Sequence, residues 1–130
     1  MFWAAAVVFY EARPAFSWLL ADPVRALLLC LFYPLIEEWL FRGVIQGALL
    51  QRAVGARGKL GVSVANLVTT GLFFALHWIG RSFQTACWVI GPSLILGIVR
   101  ERTQSIVAPM LIHCVWNLGW YSLSLQVQQI

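Results

Sequence analysis

Residues 24–50 read VRALLLCLFYPLIEEWLFRGVIQGALL. The run is long enough to cross a bilayer, because a hydrocarbon core about 30 Å thick needs about 20 helical residues. Three charges, Glu37, Glu38 and Arg42, stand in its middle. The whole chain shares its apolar character: of 130 residues, 61% are hydrophobic and 11% charged. A soluble domain is about 45–50% apolar and about 25% charged. Too little polar surface remains to coat a water-soluble globule, so the composition predicts a multi-pass membrane protein. A transmembrane β-barrel would alternate apolar and polar residues along strands of about ten residues. These runs do not alternate, and the predicted class is all-α, a polytopic membrane helix bundle.

Other apolar runs flank this one. Residues 2–10 are too short to span and predict a short N-terminal helix. They lack the basic n-region and cleavage site of a signal peptide. Pro14 and Pro23 break the stretch that follows, and Asp22-Pro23 suits the start of the central run, with Asp as N-cap and Pro in the first turn. The Gly- and Arg-rich QRAVGARGKLG ends it. Further runs cover residues 60–79, 83–99 and 106–125. The runs at 24–50, 60–79 and 106–125 reach spanning length and 83–99 is borderline. The expectation is four main transmembrane helices plus the short N-terminal one, in a single domain over residues 1–130.

Charge and cysteine usage narrow the class. The net charge of +4 is spread over loops and forms no basic run for nucleic acid. Arg52, Arg57, Lys59, Arg100 and Arg102 fall in two loops on one side, against Arg13, Arg25 and Arg81 on the other. The positive-inside rule puts the first side in the cytoplasm. Trp3, Trp18, Trp78, Trp88 and Trp120 lie near run ends, as interfacial belts require. Cys30, Cys87 and Cys114 all sit in apolar runs and form no disulfide framework.

The polar groups at bilayer depth are functional candidates, because burying them is costly unless they are paired. Glu38 and Arg42 are four residues apart with the acid first, the favourable order for a helical ion pair. Such a pair neutralises itself and serves structure as readily as chemistry. Glu37 points about 100° away from Glu38 in an α-helix, with Arg42 on a poorly aligned face. Nothing local neutralises it, so it must meet another helix, keep its proton or face water. A poised carboxyl of that kind is what a general base needs. Phe73 and His77 share one helix face, as do His113 and Asn117. Taken singly, His77 could be structural, and His113 with Asn117 could simply join helices. Together they offer a carboxylate, two imidazoles and an amide, enough for water-activated hydrolysis. Pro34 and Pro109 precede Glu37 and His113, and each should free a carbonyl and bend its helix.

These residues resemble, in order, the EExxxR, FxxxH and HxxxN motifs of the CPBP family, also called the Abi or type II CAAX prenyl protease family. The resemblance implies a glutamic-type intramembrane endopeptidase. By position it implies that Glu37 activates water with help from His77, and that His113 and Asn117 line the oxyanion hole. Glu38, Arg42 and Phe73 would support them. No cofactor is implied. A zinc-dependent protease using the same residues is an alternative, although no HExxH is present and the histidines lie on different runs. The compact chain looks like the bacterial branch associated with JDVT-CTERM-type sorting signals. That would place it in the bacterial cytoplasmic membrane, acting on a membrane-anchored protein with a hydrophobic C-terminal tail. Two readings compete: a non-catalytic scaffold or immunity protein keeping the protease fold, and a proton-coupled transporter. The second is weakened by short runs without an internal repeat. Cys114 beside His113 has no base at helical spacing and makes a poor nucleophile.

Overall fold

The computed structural model describes residues 16–59 and 61–127. The predicted helix at residues 2–10 lies outside them. Among the described residues the regular structure is helical apart from one short ribbon, in keeping with the all-α class. It divides into two compact units, Met1–Leu35 with Leu111–Ile130, and Ile36–Met110.

The first unit opens with α1 (Ser17–Ala21) and α2 (Pro23–Leu27). Asp22 caps α2 as its position predicts: its carboxylate accepts from the Arg25 N–H at 3.0 Å, with Pro23 in the first turn. A widened π-helical turn follows, π1 (Leu28–Phe32), leading into α3 (Tyr33–Glu38). Pro34 explains the widening, since it has no N–H to close an ordinary turn. The C-terminal helix, α8 (Val107–Val127), supplies the unit's remaining residues from Leu111. Trp18 ties α1 to α8. Its indole Nε1 donates to Ser122 Oγ at 3.3 Å, and its ring lies edge-on to Tyr121 at 6.4 Å. Pro109 does not bend α8 as predicted. It lies in the first turn, where the missing N–H would have had no helical partner anyway.

The second unit holds π2 (Trp39–Ile45), another widened stretch, and α4 (Gln46–Leu50). The basic loop is partly ordered as an antiparallel ribbon of β1 (Gly58–Lys59) and β2 (Val62–Ser63), with Gly58 opposite Ser63. Its tight turn needs the left-handed backbone of Gly61, φ +79°. Ser63 then caps α5 (Val64–Gly80) by accepting from the Asn66 N–H at 3.0 Å. The predicted run 83–99 is stepped: α6 (Phe83–Cys87) gives way at Trp88 and Val89 to α7 (Ile90–Thr103). Helix α7 runs on through the charged residues 100–102 to Thr103, where Arg100 and Arg102 complement the carbonyl end of the helix dipole.

Among the described residues, Phe83–Thr103 is long and apolar enough to cross a membrane, and Val64–Gly80 is apolar but shorter. The run that reads as borderline is thus lengthened by its charged end, whereas the run at 24–50 is interrupted by two widened turns. The distribution of polarity is inverted relative to a soluble protein. Glu38, Arg42 and Gln46 are 0% exposed, while Leu20 and Ile79 are 89% and 85% exposed. Trp39, Val44, Leu67, Leu72 and Leu76 also face outward. Water would penalise this arrangement, and lipid tails favour it.

Candidate active site

In the second unit the charged doublet meets a ring of supports. Arg42 Nε lies 3.2 Å from Glu38 Oε2, and both side chains are fully buried. The guanidinium carbon sits 5.3 Å from the centre of the Phe73 ring, a cation–π contact in a site shielded from solvent. Phe41 meets the same ring edge-on at 4.9 Å. Phe73 also stacks at 4.3 Å against His77, as the four-residue spacing predicts.

His77 Nδ1 lies 3.0 Å from the Phe73 carbonyl. A carbonyl only accepts, so Nδ1 carries the hydrogen, which in a neutral ring puts the lone pair on Nε2. Glu37 is half-buried. The expectation that nothing local neutralises it is corrected. Arg42 interacts electrostatically with Glu37 as well as Glu38. The reason is π2: its widened turns rotate the chain less per residue than the 100° of an α-helix, which brings positions five apart towards one face.

The third motif lies in the first unit. His113 is buried on α8. Asn117, one turn on, donates from Nδ2 to the Leu29 carbonyl at 2.9 Å. That carbonyl is orphaned by the backbone. The Tyr33 N–H turns instead to the Leu28 carbonyl, and Pro34 has no N–H to offer. The helix-joining role is therefore real for one Asn117 N–H, while an amide group carries a second. Each unit thus contains its share of the predicted residues: Glu37, Glu38, Arg42, Phe73 and His77 in one, His113 and Asn117 in the other.

The sequence pattern of the type II CAAX prenyl endopeptidase Rce1-like family matches residues 18–119. The chain belongs to this family. The matched stretch contains every predicted site residue, and membership makes the chain a membrane protein of a protease family. No curated protein and no solved structure matches it.

The Rce1-like chain also holds residues that the motifs do not name. Arg42 Nη2 donates to the Ser93 carbonyl at 3.1 Å and to Ser93 Oγ at 3.0 Å. Gln46 donates to the Gly97 carbonyl at 3.1 Å and to Glu101 Oε1 at 2.7 Å. Ser63 Oγ donates to the same Glu101 oxygen. A signal for them exists in the spacing. Glu38, Arg42 and Gln46 form one four-residue ladder, Ser93, Gly97 and Glu101 a second, and Asn66, Thr70, Phe73 and His77 a third at helical intervals. Among the described residues, no three His, Cys, Asp or Glu side chains gather as a metal ion would need.

Proposed function

We propose that this Rce1-like protein is a glutamic-type intramembrane endopeptidase. In this reading Glu37 draws a proton from a water that His77 orients through Nε2, and the hydroxide attacks the scissile carbonyl. The tetrahedral intermediate collapses, the C–N bond breaks, and Glu37 returns the proton to the leaving amine. The third motif assigns oxyanion stabilisation to His113 and Asn117, a role worth roughly 3–4 kcal/mol per donor. The observation that carries the reading is the joining of the first two family motifs in one cluster, the buried Glu38, Arg42 and Phe73 with the half-buried His77, beside the half-buried Glu37.

The apolar exterior and buried polar interior support a membrane setting; the proposal adds four main spans and a bacterial cytoplasmic membrane. The proposed substrate is a membrane-anchored protein carrying a short hydrophobic C-terminal tail, as in the JDVT-CTERM-associated branch. The test is cleavage of a tail peptide by purified protein in detergent with a chelator present. Glu37→Gln is expected to abolish turnover while the variant folds normally. Continued cleavage by that variant would place the base elsewhere. Loss of wild-type activity to chelator, restored by zinc, would favour the metalloprotease.

A further inference from the structure

We infer that Thr70 and Ser93 are positioning residues, joined in a one-way hydrogen-bond chain that fixes the Arg42 guanidinium. The inference rests on the hydrolytic reading for its kinetic consequence, but its structural content stands apart.

The direction of the chain follows from which atoms can donate. Arginine has only donors, so Ser93 Oγ must accept from Arg42 Nη2 at 3.0 Å. The Ser93 hydroxyl proton then needs its own acceptor, and Thr70 Oγ1 stands 3.0 Å away. Thr70 in turn passes its proton to Asn66 Oδ1 at 3.3 Å. The Asn66 amide cannot be flipped, because its Nδ2 faces the Leu94 carbonyl at 3.0 Å, which only accepts. Every proton therefore points from Arg42 towards Asn66. Reversing one link would set two acceptors against each other. Thr70, Ser93 and Asn66 are each 5% exposed or less, so no bulk water replaces a lost partner.

The far end of the chain is locked by packing. A Cβ on Gly97 would collide with the Asn66 amide, so α5 and α7 approach closely enough for this amide only because residue 97 is glycine. The near end governs the site. The guanidinium held by Ser93 pairs with Glu38 and lies over Phe73, whose carbonyl fixes the His77 tautomer. Thr70 touches no reacting group, yet its hydroxyl decides whether Ser93 presents a lone pair or a proton to Arg42.

The experiment compares Thr70→Val with Thr70→Ser in detergent-solubilised full-length protein. Two quantities are read: kcat and KM on a tail peptide, and the solvent-exchange rate of the Arg42 guanidinium protons by nitrogen-15 NMR. Thr70→Val keeps the shape and removes the hydroxyl. It is expected to lower kcat and speed exchange about five- to ten-fold, as loss of one buried hydrogen bond implies, with KM unchanged. Thr70→Ser is expected to restore both. Wild-type exchange in Thr70→Val, or equal damage in both variants, would overturn the chain and leave Thr70 a packing residue. If the wild type cleaves nothing, the hydrolytic reading fails, and the exchange rates still decide whether the chain holds Arg42.

Discussion

The two units each carry a histidine motif at four-residue spacing, and the motif side chains Arg42 and Asn117 are held differently. In Ile36–Met110 Arg42 donates to the Ser93 carbonyl and also to its hydroxyl, from which side-chain links run on to Thr70 and Asn66. In the other unit the Asn117 side chain satisfies a backbone carbonyl left open by π1 and Pro34. The lesson is that spacing along a helix selects a face but not a partner. What a polar side chain meets depends on which neighbouring group lacks one, and in a lipid-solvated interior each such group must be satisfied by protein.

The largest test of this contrast is Arg42→Met. It strips the buried Glu38 of its guanidinium partner and is expected to cost about 3–5 kcal/mol, as for other buried pairs broken on one side. Chemical unfolding in detergent measures it, and a cost under about 1 kcal/mol, as for exposed pairs, would erase the distinction between the units. Next in size, Asn117→Leu leaves the Leu29 carbonyl unsatisfied and should cost about 1–2 kcal/mol. The same change made in Pro34→Ala is expected to cost much less, because residue 34 then has an N–H to give. Equal costs in the two backgrounds would show that the proline is not what opens the carbonyl. The smallest effect belongs to Asp22→Ala, which removes an exposed N-cap from α2 and should cost about 0.5–1 kcal/mol in the same assay. A larger loss would mean that this helix end is more than a local feature.

Much of the site is legible in the order and spacing of residues. The Glu38–Arg42 pair and the Phe73–His77 stack follow from four-residue spacing, and both contacts are present. Asp22-Pro23 marks a helix start and is one. The electrostatic interaction of Glu37 with Arg42 is hidden from spacing, because uniform α geometry puts the two on poorly aligned faces and π2 departs from that geometry. The step at Trp88 and Val89 is equally hidden, since both residues are apolar and interrupt no periodic signal. Pro109 misleads for a third reason: a proline three residues into a helix and one in its middle look alike until the first turn is located.

Composition and spacing alone determined the helical class, the lipid-facing exterior and the identity of the charged and imidazole groups. These depend on how many polar residues there are and on their angles around one axis, both of which are local properties of the chain. Only the tertiary structure decided that Arg42 rests on Ser93, 51 residues away, and that Asn66 seats on Gly97. Such pairings depend on how closely two helices approach and in what register, and the packing of both surfaces together sets that distance.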